Sequence, residues 1–137
     1  MRILAVDPGE KHLGIALSDP TGTVAAPLII LQHISRKLDA AAIIDLAHQH
    51  QAEMIVIGYS LDENGLSTPQ SRRANRLADV IRQQSNLPVL MWDESFSTLE
   101  ARQAYIMIGT TRRKRRGHLD DHAAMVILQS YLDSNLN

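Results

Sequence analysis

The chain contains no cysteine. Disulfides, thiolate zinc sites and a cysteine nucleophile are therefore excluded. No apolar run approaches the roughly 18 residues that a membrane helix needs, so no span is expected. Met1-Arg2-Ile3-Leu4 runs straight into a strand-like segment, without the hydrophobic stretch and cleavage site of a secretory signal. The expected compartment is the cytoplasm. No internal repeat, low-complexity tract or linker divides the 137 residues, so 1–137 reads as a single domain long enough to bury its own core. Several phosphate and metal signatures are also missing: there is no GxxxxGK[ST], no GxGxxG and no HExxH. No Ser-His-Asp triad can be argued from the order of residues.

Charge is nearly balanced, with a formal net charge of −1. Its distribution is not even. Arg112, Arg113, Lys114, Arg115 and Arg116 place five of the 14 basic residues in consecutive positions. Arg72, Arg73 and Arg76 form a second, looser group. A concentrated basic stretch on a near-neutral protein attracts polyanions locally, although a charge run also serves as a plain solvated loop.

Elements alternate along the chain. Residues 3–6 form a short continuous apolar run, as in a strand buried on both faces. A second strand covers 13–18, and Pro20-Thr21-Gly22 makes a turn. A third strand covers 24–31, where Pro27 favours a sheet edge or a bulge. These three read as an antiparallel meander. Ser35 is the expected N-cap of a helix whose inward stripe is Leu38, Ala42, Leu46 and Ala47. A fourth strand at 53–58 leads into a polar loop at 59–69, a type of segment that often borders a site. Ala74, Leu77, Ala78 and Ile81 mark a second helix, and 87–92 a fifth strand. Ser97-Thr98-Leu99-Glu100 is a capping box for a third helix through Ala101, Ala104, Tyr105 and Ile108. The last helix carries Ala123, Ala124, Ile127, Leu128 and Tyr131. The order implies an α/β fold. An antiparallel hairpin part and a parallel part share one mixed sheet flanked by helices.

Carboxylates stand where this pattern ends its strands. Asp7 closes the first strand, and Asp93 and Glu94 close the fifth. In such sheets, sites collect beyond the carboxyl ends of parallel strands. Asp120 falls on the stripe of Ala123, Ala124, Ile127 and Tyr131 that packs on the sheet, and Asp121 borders it. Each acid has an ordinary reading alone: a strand-ending turn, a residue before a helix start, or an N-cap. Together they suggest one cluster. Carboxylates brought together repel one another unless a cation separates them, and oxygen-only ligands suit Mg²⁺ or Mn²⁺. Such ions activate water and stabilise a leaving oxygen in phosphodiester cleavage. His118 and His122 have the i, i+4 spacing of a helical ligand pair, but no accompanying metal motif.

Three ordered motifs then resemble one family. The segment from Asp7-Pro8-Gly9 through Gly14-Ile15-Ala16-Leu17-Ser18-Asp19 is similar to the opening DxGxxxxGxAxSD of the YqgF/RuvX-like family. Asp93-Glu94-Ser95-Phe96-Ser97-Thr98-Leu99-Glu100-Ala101 resembles its Asp-Glu-Arg segment. The run from Asp120 to Leu132 resembles its D-x-x-A-A-x-x-I-L-Q-x-Y-L ending. The resemblance implies a ribonuclease H-like fold and a nuclease of precursor 16S rRNA or of Holliday junctions. It implies Asp7, Glu94 and Asp120 as catalytic, metal-binding carboxylates, with Asp93 and Asp121 as helpers and Mg²⁺ or Mn²⁺ as cofactor. The basic stretch 112–116 would hold the nucleic-acid backbone. Partners would be precursor rRNA or branched DNA, and ribosomal particles, with the chain a monomer or homodimer. His12 and Ser95 stand where the family usually has arginine, and Gly58-Tyr59-Ser60 where it usually has Gly-Leu-Pro. A catalytically silent RNA-binding assembly factor on the same fold is the alternative. A phosphotransferase of the actin-like type needs far more chain.

Overall fold

The computed structural model describes residues 1–96 and 122–135. The helix expected after Ser97, the basic stretch 112–116, Asp120 and Asp121 lie outside the described residues. Within them the order is β1 (Ile3–Pro8), β2 (His12–Ser18), β3 (Ala25–Gln32), α1 (Arg36–Gln49), β4 (Met54–Tyr59), α2 (Pro69–Gln84) and β5 (Val89–Asp93). A single 3-10 turn, Glu94–Phe96, follows β5, and α3 covers His122–Ser134.

Five strands make one sheet in the order β3-β2-β1-β4-β5. β1 pairs antiparallel with β2, and β2 with β3. β1 pairs parallel with β4, and β4 with β5. This is the mixed, ribonuclease H-like sheet that the strand pattern and the resemblance implied. The central strands are buried on both faces, which is why β1 and β4 read as continuous apolar runs rather than alternating ones. On one face Leu4, Val6, Ile15, Ile55 and Ile57 pack with Ile43 of α1 and with Leu77 and Ile81 of α2. On the other, Ile3, Ala5, Ala16 and Val56 pack with Ala124, Ile127, Leu128 and Leu132 of α3.

β3 lies at one edge of the described sheet, and Pro27 sits there at a bulge, so both alternatives expected for it occur. Ile15 pairs with Ile29 while Ala16 pairs with Pro27, so the ladder skips Leu28. A proline lacks the N–H that a central strand would require, and an edge tolerates that. The start of β3 is fastened to α3 by one buried side chain. Gln129 Oε1 accepts from the Ala25 N–H at 2.9 Å, and its Nε2 donates to the Thr23 carbonyl at 3.0 Å.

Ser35 caps α1 as expected, accepting from the Leu38 N–H at 3.2 Å. The inward stripe differs from the expected one. Ala40, Ile43, Ile44 and Ala47 are buried, together with Asp39, whereas Leu38 is 54% exposed. The segment is apolar on two adjacent faces, so spacing alone selects neither. Packing against α2, in the core that also holds Leu4, Val6, Ile55 and Ile57 of the sheet, selects the 40-43-44-47 series. α2 starts at Pro69, and the Thr68 and Ser71 side chains cap each other's backbone N–H groups.

Gly58 fixes how closely α3 approaches the sheet. A Cβ at this position of β4 would lie 2.3 Å from Ile127 Cδ1 and 2.9 Å from Cγ1. Only glycine lets that isoleucine sit on the strand.

Candidate functional site

Asp7 occupies the fifth position of β1. It pairs with Gly14 and lies one residue beyond the last β1–β4 partner pair, Val6 and Ile57. Strand alternation carries it onto the face of Ile3 and Ala5, which is the face that α3 covers. Gly14 confirms this placement. A Cβ there would stand 3.9 Å from Asp7 Cβ and 3.6 Å from Ala124 Cβ, so the aspartate is beside the first turn of α3. Asp7 is half-buried. The chain then turns at once. The Gly9 N–H donates to the His12 carbonyl at 2.9 Å, and a Cβ on Gly9 would be 2.5 Å from that oxygen. The turn needs glycine for space, and it leaves an open depression of about 580 Å³ over the strand end. Asp7, Glu10, Lys11, His12, Gly14 and Ile30 line it with Gly9. His12, standing where the family usually has arginine, therefore faces the same space as Asp7.

β5 runs parallel to β1 with β4 between them, so the two strand ends lie on the same side of the sheet. Two strand spacings separate β1 from β5, about 10 Å. Leu90 and Trp92 pack on the α3 side. Trp92 Nε1 donates to Ser130 Oγ at 3.1 Å, and its ring meets Tyr131 edge-on at 5.3 Å. Asp93, by alternation, shares the opposite face with Val89 and Met91, and its Oδ1 accepts from the Ser95 N–H at 2.9 Å. That bond caps the short turn that Glu94 begins. Glu94 is half-buried, two residues beyond Trp92.

Asp120, Asp121, Arg112, Arg113, Lys114, Arg115 and Arg116 lie outside the described residues. His122 opens α3 and is 2% exposed. Among the described residues no group of three or more His, Cys, Asp or Glu side chains is arranged to hold a metal ion. The described part of the expected cluster is Asp7 and Glu94. Both supply oxygen donors of the kind that Mg²⁺ and Mn²⁺ take, and the chain has no cysteine to add a thiolate.

The residues around the β1–β2 turn include some that pattern reading passed over. Asp39, buried in the first turn of α1, accepts from His33 Nδ1 and from the Ile34 N–H. An acid set four residues after the N-cap, inside an otherwise apolar helix, was the signal available for it. Arg73, read only as one of a loose basic group, stands across from this pair.

The model of the RuvX family, described as Holliday junction resolvase, matches residues 1–134. The chain belongs to the RuvX family. A relative from Thermoanaerobacter pseudethanolicus is 35% identical over 138 residues, covering 100% of this chain and 99% of its own. One from Syntrophus aciditrophicus is 40% identical over 134 residues, covering 98% and 89%. Each carries the name "Putative pre-16S rRNA nuclease". Among solved structures, Thermus thermophilus RuvC in complex with a Holliday junction substrate superposes with a TM-score of 0.64 at 13% identity, over 99% of this chain and 96% of that one. The fowlpox virus Holliday junction resolvase gives 0.59 at 19% identity, over 98% and 99%. At such identities the likeness concerns the fold, and it bears out the mixed sheet order of this RuvX-family chain. No described helix is long and apolar enough to cross a membrane.

Proposed function

We propose that this chain is a metal-dependent nuclease acting on structured nucleic acid, and that it processes the 5′ end of precursor 16S rRNA. The observation that carries the reading is Asp7. A half-buried carboxylate ends a central strand beside α3, on the floor of an open depression edged by Lys11 and His12. In a family of this kind that is where a phosphodiester would be brought to a cation. Asp7, Glu94 and Asp120 would hold Mg²⁺ or Mn²⁺, with Asp93 and Asp121 as neighbouring helpers. Asp120 precedes by four positions the Ala124 that stands beside Gly14 and Asp7. When bound, the cation supplies an acidified water and neutralises charge on the cleaved phosphate. Lys11 and His12 would orient the phosphate. Arg112, Arg113, Lys114, Arg115 and Arg116 would hold the backbone, which gives affinity and little choice of sequence. The whole chain would act as one domain in the cytoplasm, on free precursor rRNA or on ribosomal particles.

A second reading, resolution of branched DNA, is favoured by the description of the family model that matches residues 1–134. One cleavage panel decides between them. It offers precursor 16S rRNA ends, four-way DNA junctions and plain duplexes with Mg²⁺ and with Mn²⁺. We expect cut rRNA ends and intact duplexes. Cleaved junctions with intact rRNA would establish the second reading. Tight binding without cleavage of any substrate would make the chain a silent assembly factor.

A further inference from the structure

The β1–β2 turn separates two cavities, and the second has no place in the reaction described above. Gly9 and Glu10 belong to the walls of both. One is the depression over Asp7. The other is a partly open cleft on the α1–α2 face, about 360 Å³ counting the space open to solvent. Its floor is Pro8, Leu13 and Leu77, and its polar rim is His33, Arg36, Asp39 and Arg73 with Glu10. Its two arginines are not paired with its two carboxylates, Glu10 and Asp39. Asp39 is already engaged by His33 and by the Ile34 N–H. The ion pairs among the described residues are His33–Asp39 and Arg82–Asp79, so neither Arg36 nor Arg73 takes part in one. Arg73 Nε is buried without a hydrogen-bond partner. A buried guanidinium N–H left unpaired is costly, and native proteins rarely keep one without a ligand, an ion or a water for it. Two unpaired guanidinium groups, with Asp39 already engaged and Glu10 in no ion pair, can take an anion, and their planar forks fit a phosphate.

We propose that the His33–Arg36–Arg73 pocket binds a backbone phosphate of the nucleic-acid strand whose neighbouring segment lies over Asp7. The inference rests on the nuclease reading for the strand's identity, and on the shared turn for its path. A strand crossing Gly9 and Glu10 has the carboxylate depression on one side and the two arginines on the other. The pocket would thereby fix the distance between a held phosphate and the cleaved one. His33, through its bond to Asp39, is a positioning residue that keeps the acid turned away from the incoming anion.

The test separates binding from cleavage. Anisotropy with a short single-stranded RNA, in Ca²⁺ and over a series of salt concentrations, gives the log–log slope of affinity for wild type, Arg36→Gln, Arg73→Gln and the double variant. The pocket holds one phosphate, and losing that contact reduces the slope by about 0.7 on a single strand, so each single variant should lose up to about 0.7 and the double variant no more than that. Arg76→Gln removes a charge from the same helix at an exposed position outside the pocket, and it should leave the slope near wild type. Arg36 is exposed, so Arg36→Gln remains informative if Arg73→Gln disturbs folding. The His33 ring signals should shift with the RNA and not with inorganic phosphate at the same phosphate concentration. An unchanged slope in Arg36→Gln and Arg73→Gln, or a loss as large in Arg76→Gln, overturns the proposal. An equal response of His33 to inorganic phosphate overturns the strand assignment. If the slope falls as expected while wild type cuts nothing in Mg²⁺, the pocket stands and the nuclease reading fails. If wild type cuts RNA and the slope is unmoved, the reverse holds.

Discussion

Asp7 and Asp19 mark opposite ends of the β1–β2 hairpin, and their surroundings assign them different work. Asp19 is engaged on every side by its own turn. Thr21 Oγ1 donates to Oδ2, and the Val24 and Thr23 N–H groups donate to Oδ1 at 2.9 and 2.8 Å. Those donors, the Thr21 hydroxyl first and the backbone groups next, hold the carboxyl well below the usual carboxylate range. A depressed folded value means stability that is present above the unfolded value, about 4, and lost as pH falls from there toward the folded one. Asp19→Asn keeps the shape and one acceptor but removes the charge. It should lower the melting temperature at neutral pH, with the gap closing below about pH 4. A gap that persists unchanged into acid would mean that the charge contributes nothing. Asp7 lines the open depression at its strand end. Asp7→Asn, Glu94→Gln and Asp120→Asn should each abolish cleavage and spare binding of RNA. Pairs should be scarcely worse than singles if the three act as one unit. Wild-type turnover in any one of them removes that residue from the site. The motif Asp7 to Asp19 was legible as a unit, but its parts were not. Ser18 serves the fold by accepting from the Ile3 N–H at 2.8 Å, and spacing could not distinguish that from a role in chemistry.

At the scale of the element, legibility followed the number of partners. β1 and β4 are covered on both faces and announce themselves as unbroken apolar runs. α2, polar on its outer side, showed its buried Ala74, Leu77, Ala78 and Ile81 directly. α1 is apolar on two faces and did not, because the deciding contacts come from other segments. The order β1-β4-β5 was also beyond periodicity, which gives strand existence but not strand neighbours. Gly58 shows how a single atom links two elements. Ile127 is 1% exposed, and because the new methyl group would also crowd its Cγ1 and Cγ2, at 2.9 and 3.2 Å, turning the Cδ1 end alone does not relieve the contact; the first torsion of a β-branched residue is stiff. Gly58→Ala should destabilise the protein by about 1–3 kcal/mol, the usual penalty of an overfilled core. Ile127→Ala alone leaves a cavity and should cost about 2–5 kcal/mol. In the double variant the added methyl partly fills that cavity. Denaturant midpoints should show a sum smaller than the two single losses, by 0.5 kcal/mol or more in a contacting pair. Additive losses would place the α3–β4 contact elsewhere.

For the molecule as a whole, charge acts at two ranges, and each has its own signature in solution. The long range belongs to the basic stretch. Neutralising Arg112, Arg113, Lys114, Arg115 and Arg116 should weaken all nucleic acids alike and reduce the salt slope by up to about 0.9 per lost contact on a duplex. An unmoved slope would make the stretch a solvated loop. The short range belongs to the carboxylates. If Asp7, Glu94 and Asp120 share one site, they repel one another at neutral pH until a divalent ion enters, and the folded state alone holds that ion in place. Binding to the folded state stabilises it by mass action, by about 1.4 kcal/mol at a free Mg²⁺ concentration ten times the dissociation constant. For a domain of this size that amounts to a melting shift of roughly 3–6 °C. Asp7→Asn removes one negative charge from the cluster and one ligand from the ion. It should therefore melt higher than wild type without metal, and it should lose most of the Mg²⁺ response. The two effects have opposite signs in one variant, which a general loss of packing cannot imitate. Calorimetric scans with EDTA and with Mg²⁺ measure both. A wild type indifferent to Mg²⁺, or an Asp7→Asn variant that keeps the full shift, would take the metal away from the β1 strand end.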